Sequence, residues 1–306
     1  MLAIGECLQI ISKAVRTAIE ERDNGFIQDL AKRQVERGAQ MLDLNIGPQK
    51  KAGPEVMDWL VNTVQEVVDV PLSLDTTNAQ AIEAGLKVTK KKPLINSTNA
   101  DPERMAVLFP LAAKHDANII ALTLRATGLP ATADARIEIV SEDLFPAIEQ
   151  YGLPLENVYF DPLVLTVNGC QDHAPEIVKA MRIIKQISDP PLLTTCGLSN
   201  ISNGAPKDVR PILNRVYLVM LMGAGLDSAI MDPFDGELME TIRIIEKRDD
   251  STAKGRIYLA LYDAYAAEEE FDPSIVDMSD PQQAAILKTI RVLENKTIYA
   301  HSYLEL

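Results

Sequence analysis

Short apolar runs rich in Ile, Val and Leu alternate along the chain with longer amphipathic stretches, the pattern left by repeated βα units around a parallel sheet. Eight runs read as strands: LAIGE from Leu2, MLDLNIG from Met41, PLSLDTT from Pro71, PLINSTN from Pro93, ANIIALTL from Ala117, VYFDPLVL from Val158, LLTTCGLSN from Leu192 and DSAIMDP from Asp227. Between them, PEVMDWLVNTVQEVV, NAQAIEAGLKVTKK, DPERMAVLFPLAAKHD and APEIVKAMRIIKQIS predict helices that open with Asp, Asn or Pro, residues suited to helix starts. Eight strands, each followed by a helix, predict an α/β fold, a (β/α)8 TIM barrel forming a single domain over residues 1–306. A doubly wound sheet would carry a glycine-rich first turn, and neither GxGxxG nor GxxxxGK[ST] occurs.

The rhythm changes after about Ile245. The stretch EKRDDSTAKGRIYLALYDAYAAEEEFDPSIVDMSDPQQ is strongly charged, has two proline breaks and clusters tyrosines, so a C-terminal helical insertion at about 246–285 is expected. A final helix from Pro281 carries AAILKTIRVLENKTIYA with apolar residues at helical spacing, suited to packing under the barrel or on a partner. Glu268 to Glu270 read as a solvated face.

Charge narrows the choice of partner. With 30 Lys plus Arg against 44 Asp plus Glu, the net charge of -14 repels phosphate backbones and anionic lipid, so neither nucleic acid nor a membrane is expected. The most apolar stretch, YLVMLMGAG around 217 to 225, is too short to span a bilayer and reads as a helix at a subunit interface or against the barrel wall. Three cysteines, Cys7, Cys170 and Cys196, odd in number and without a CxxC pair, point to reduced thiols and a cytoplasmic setting. The opening MLAIGECLQIISKAVR has no basic leader and no small-residue cleavage site, so export is not expected.

In such a barrel the chemistry gathers where the strands end. Glu6 closes the first run, Asp43 and Asn45 the second, Asp75 the third, Asn96 and Asn99 the fourth, and Asp161, Asn200 and Asp232 fall at the ends of later ones. A ring of carboxylates and amides without Lys, Arg or His is unsuited to a phosphorylated substrate, whose charge would stay unpaired. It suits a planar heterocycle bearing an amino group and ring N–H, which one carboxylate can accept bidentately while amides satisfy the rest. Asp75, Asn96 and Asp161 fit that task. Any one of these residues is equally suited to be a helix cap or turn former; the full set at one mouth argues for a site. An acidic mouth can also hold a divalent ion, and all three cysteines fall near strand ends. None is paired with a second Cys or His at ligand spacing, since His173, near Cys170, sits where a helix starts, so no metal is expected and the cysteines read as buried apolar groups. No Ser-His-Asp or Cys-His arrangement can be built from the three histidines.

Taken in order, MLDLNIGP, LSLDTTN, INSTN, VYFDPL, QDHAP and GLSNIS resemble the pterin-binding methyltransferases that move a methyl group between tetrahydrofolate and a corrinoid protein. The similarity runs from residue 1 to about 245 and resumes near NKTIYAHSYL. The resemblance implies a pterin site of Asp75, Asn96 and Asp161 with Glu6, Asp43, Asn45 and Arg210 around it, and Asn200 as the catalytic residue near N5. It implies tetrahydrofolate or 5-methyltetrahydrofolate as substrate, a corrinoid (cobalamin) carried by a partner protein, and a homodimer. A tertiary amine is a poor leaving group, so N5 needs a proton or a strong hydrogen bond before its methyl is displaced, and an amide can follow N5 as its protonation changes. No covalent intermediate is required, in keeping with the lack of an activated nucleophile.

The first strand departs from the family pattern, reading IGECLQI where many relatives carry Arg and Asn after the Glu, so the resemblance does not extend to the part of the pocket rim at Cys7, Leu8 and Gln9. The insertion resembles the methyltransferase II components of O-demethylase and methylamine or betaine systems. Lys207 and Arg210 are placed to meet a folate glutamate tail or an acidic partner, or else lie in a solvated loop. Two alternatives remain open: a dihydropteroate synthase-like enzyme, which would bring Lys and Arg to a pyrophosphate leaving group, and a non-catalytic pterin-binding protein.

Overall fold

Alternation with a period of two, set into eight parallel strands, decides which residues reach the middle of the molecule. The computed structural model describes residues 1–49 and 51–305. Its strands are β1 (Leu2–Gln9), β2 (Met41–Asn45), β3 (Leu72–Asp75), β4 (Leu94–Thr98), β5 (Asn118–Leu122), β6 (Val158–Asp161), β7 (Leu193–Thr194) and β8 (Ser228–Met231). They pair in the order β7-β6-β5-β4-β3-β2-β1-β8. A parallel bridge between Gly197 and Ile230, with the Ile230 N–H donating to the Cys196 carbonyl at 2.9 Å, brings the two ends of that order together. The expected (β/α)8 barrel is the observed fold.

Inside the ring, Ile4, Met41, Leu94 and Ile120 pack as a small apolar plug. Their outward neighbours, among them Leu42, Leu74, Ile95 and Ile119, pack beneath the helices in one of the two large clusters. Two residues further along each strand the inward positions turn polar: Asp43 follows Met41, Asn96 follows Leu94, and Asp75 follows Ser73. The plug therefore forms the floor of a polar cup. Helix starts support the mouth, with the Asp101 carboxylate accepting from the Glu103 N–H and the Asn78 amide oxygen from the Gln80 and Ala81 N–H groups.

The first strand does not stop at Glu6. It runs on to Gln9 through an irregularity, because Gly5 pairs with Leu42 while Leu8 pairs with Leu44. The Cys7 N–H that this frees donates to the Oε1 of the fully buried Gln34 at 3.0 Å, and a Cβ on Gly5 would stand only 2.6 Å from that same oxygen.

The stretch expected as a helical insertion carries a helix. Ala253–Ala267 is a helix that buries Ile257, Tyr258 and Leu261, and with Pro281–Leu293 it lies over the helix Arg210–Gly223. That explains the apolar YLVMLMGAG run: Tyr217 to Met222 are all buried between the barrel and these tail helices, which leaves that face unavailable to a second subunit. Among the described residues no helix is long and apolar enough to cross a membrane.

Candidate active site

The cup at the C-terminal ends of the strands is a cavity of about 260 Å³ lined by Glu6, Asp43, Asn45, Asp75, Asn96, Asp161 and Asn200. Seven of the eight expected site residues are thus brought together. The eighth, Arg210, lies in an adjoining outer cavity of about 670 Å³ with Lys207, Asn203 and Phe234. Glu6, Gln9, Ser199 and Asn200 line both spaces and form the sill between them. Leu122, Leu163 and Ile230 supply apolar wall to the inner cavity.

Hydrogen bonds fix the direction in which each polar group is offered. Ser73 Oγ donates to Asp43 Oδ1 at 2.5 Å and Asn96 Nδ2 donates to the same oxygen at 3.0 Å, leaving the Asn96 amide oxygen for a ligand. Asn45 Nδ2 donates to Asp75, while its own Oδ1 accepts from the Gly47 N–H at 3.0 Å; Asn45 is therefore a support for Asp75. Asp161 Oδ1 accepts from the Leu163 N–H at 2.7 Å. Ser199 Oγ donates to Glu6 Oε1 at 2.6 Å. Asn203 Nδ2 donates to Asn200 Oδ1 at 3.2 Å, so Asn200 offers its N–H groups outward.

Burial raises every carboxyl in this cup. Asp161, 6% exposed, is pushed up to about 7 by desolvation, against the Leu163 hydrogen bond and the charge of Arg136. Desolvation, then the charge of Asp75, holds Asp43 above the ordinary carboxylate range. Desolvation likewise raises Asp75, opposed by the Asn45 hydrogen bond and the charge of Arg104, and raises Glu6 against its bond from Ser199. Asp161 and Asp75, raised by burial, will gain from a ligand that brings N–H groups.

Among the described residues no Lys, Arg or His lines the inner cavity, but Arg104 and Arg136, both from helices, stand behind it. Cys7 is not the expected apolar filler, since its thiol donates to Asp232 Oδ1 at 3.3 Å, and burial followed by the Asp232 charge pushes that thiol up. Ser199 and Asn203 were not among the expected residues, although both flank Asn200 within GLSNISN. Among the described residues no group of three or more His, Cys, Asp and Glu is disposed to hold a metal ion.

The pterin binding enzyme family model matches residues 12–232. The chain is 32% identical over 245 residues to a methylcorrinoid:tetrahydrofolate methyltransferase of Eubacterium limosum, covering 79% of this chain and 89% of that protein. It is 33% identical over 229 residues to methionine synthase of Mycobacterium tuberculosis, which takes in 72% of this chain and only 19% of that longer protein. Dihydropteroate synthase of Yersinia pestis superposes with a TM-score of 0.55 over 81% of this chain and 92% of that one, at 17% identity, a likeness of fold alone.

Proposed function

Since the chain belongs to the pterin binding enzyme family, we propose that it is a methyltransferase acting between a methylcorrinoid protein and N5 of tetrahydrofolate, forming or consuming 5-methyltetrahydrofolate. The observation that carries this reading is the pairing of two spaces. An inner cup of acceptors suits the aminopyrimidine edge of a pterin, and Asn200 stands on the sill where that cup opens to the larger outer cavity. Asp75 and Asp161 accept from the amino and ring N–H groups, and the Asn96 amide oxygen takes a further donor. Glu6, Asp43 and Asn45 hold the neighbouring groups in place.

Asn200 acts at N5. With its oxygen engaged by Asn203, its amide N–H groups can donate to the N5 lone pair, supplying the hydrogen bond that an amine leaving group needs. The buried cup keeps water from competing for those bonds. The corrinoid, carried by its partner protein, supplies the cobalt that gives or takes the methyl carbon, and the outer cavity leaves the sill open to its approach. Lys207 and Arg210 flank that approach, suited to the folate glutamate tail or to acidic groups of the partner. In this reading residues 1–306 are one domain, the tail at 246–285 is an elaboration of the barrel, the protein works in the cytoplasm, and its branch is the methyltransferase component of O-demethylase or methylamine and betaine systems, as a homodimer whose contact lies elsewhere than on Tyr217–Met222.

Anaerobic mixing of the protein with 5-methyltetrahydrofolate and cob(I)alamin tests the proposal. Protein-dependent loss of the cob(I)alamin absorbance is expected. Full folate binding with no spectral change would instead favour a pterin carrier, and condensation of p-aminobenzoate would favour a dihydropteroate synthase.

A further inference from the structure

Two arginines reach under the rim of the cup, and neither forms an ion pair among the described residues. Arg136, 1% exposed, comes from the helix Ala133–Ile139. Its Nε donates to the Pro162 carbonyl at 2.8 Å, its Nη1 to the Thr132 carbonyl at 3.1 Å, and its Nη2 to Nδ1 of His173 at 3.1 Å. Arg104 comes from Pro102–Lys114 and is half-buried. Its Nε and Nη2 donate to the Ser97 carbonyl at 3.1 and 2.6 Å, and its Nη1 to the Thr77 carbonyl at 3.2 Å.

The carbonyls these arginines choose share a feature. Pro162 directly follows Asp161, Ser97 directly follows Asn96, and Thr77 lies two residues beyond Asp75. Each guanidinium thus grips the backbone just past a residue that faces the cavity. A guanidinium stays charged at any accessible pH, and burying one without a carboxylate partner is costly unless a nearby anion repays it through space. The carboxylates facing Arg136 are Glu176 and the cup's Asp161, and those facing Arg104 are Asp101 and the cup's Asp75. We propose that Arg104 and Arg136 are positioning residues that fix Asp75, Asn96 and Asp161 from behind and favour the ionised form in which the two carboxylates accept a pterin. This inference rests on the pterin reading of the cup for its ligand but not for its electrostatics.

Other charges face the same groups. Asp161 has Cys196 beyond β7 and Tyr217 on the helix Arg210–Gly223 nearby; Glu176 and His173, both on His173–Gln186, face Arg136. Asp75 has Asp43 on β2 and Asn45, while Asp101 faces Arg104. Among the partners around the two carboxylates themselves, the arginines are the cations, and their charges oppose the effect of burial on Asp161 and Asp75. Removing one should therefore shift the corresponding carboxyl toward its protonated form.

The test is carboxyl 13C NMR titration of ligand-free protein labelled at aspartate, followed by calorimetry of tetrahydrofolate binding across the same pH range. In Arg136→Met the Asp161 midpoint should rise by about one pH unit, and tetrahydrofolate affinity below the midpoint should fall about tenfold more than in the wild type. Arg136→Lys, which keeps the charge, should restore most of the titration while losing the carbonyl contacts. Arg104→Met should move Asp75 in the same way, and it decides alone if Arg136→Met fails to fold. Carboxyl midpoints that do not move in the Met variants would overturn the inference. Midpoints that move in a protein whose wild type does not bind tetrahydrofolate would uphold the electrostatic role and overturn the pterin reading instead.

Discussion

Replacing Asp161 by Asn should make the ligand-free protein more stable at alkaline pH while depriving it of its ligand. The carboxyl is 6% exposed and sits at about 7 in the fold, against 3.8 when freely hydrated. A carboxyl with a raised folded value binds its proton more tightly in the native state. Its contribution to stability is thus complete below the unfolded value and is lost as pH climbs through the folded one. At about 1.4 kcal/mol per pH unit of difference, the raised value costs the native state on the order of 4 kcal/mol at pH 8, where Asp161 is mostly ionised, and about 2 kcal/mol at pH 5, where the fold holds it protonated while the unfolded chain is ionised. In Asp161→Asn the substituted side chain keeps an amide oxygen that can still accept from the Leu163 N–H, so the main offset is one new buried amino group, worth about 1–3 kcal/mol if unpaired. That offset does not depend on pH. Urea unfolding at pH 5 and pH 8 should therefore show Asp161→Asn gaining on the wild type by roughly 2–3 kcal/mol between the two conditions. Calorimetry at pH 8 should show tetrahydrofolate affinity reduced by about 1–3 kcal/mol through loss of charge-assisted hydrogen bonds. A wild type and variant whose stabilities run parallel from pH 5 to pH 8 would mean that burial does not hold Asp161 near neutrality.

Asp75→Ala should weaken pterin binding by about 1–3 kcal/mol, and calorimetry with unchanged affinity would remove Asp75 from the site. Asn200→Ala should bind tetrahydrofolate nearly as well as the wild type but transfer methyl roughly 10–1000-fold more slowly, because the lost hydrogen bond matters most as N5 changes charge; a wild-type single-turnover rate would rule out that role. Gly5→Ala should destabilise the fold by about 1–3 kcal/mol, because the new Cβ meets Gln34 Oε1 where that oxygen takes the Cys7 N–H; an unchanged urea midpoint would show that Gln34 can yield. Tyr258→Ala should cost about 3–5 kcal/mol by opening a cavity beneath the tail, whereas a tail that merely decorates the barrel would tolerate it.

The barrel was legible because alternation and turn residues act locally: Met41, Asp43 and Asn45 point inward together whatever the rest of the chain does. The cup was legible for the same reason, as polar residues closing strand after strand gather at one mouth. What escaped depends on contacts between residues far apart in the chain. The irregularity at Glu6 and Cys7 exists because Gln34, from the helix Asn24–Glu36, is there to take the freed N–H. Arg104 and Arg136 look like ordinary helix residues until their helices are laid against β3, β4 and β6. The tail reads as charged because its outer face is, while the residues that cover Tyr217–Met222 are spread at helical spacing among those charges.

A crystal structure of the protein soaked with 5-methyltetrahydrofolate puts the pterin reading to its plainest trial. The expected result is the pterin seated in the cup, its amino and ring N–H groups within hydrogen-bond reach of Asp75 and Asp161, and N5 beside the Asn200 amide at the sill. A ring bound anywhere else, or bound in the cup with N5 turned away from Asn200, would overturn it.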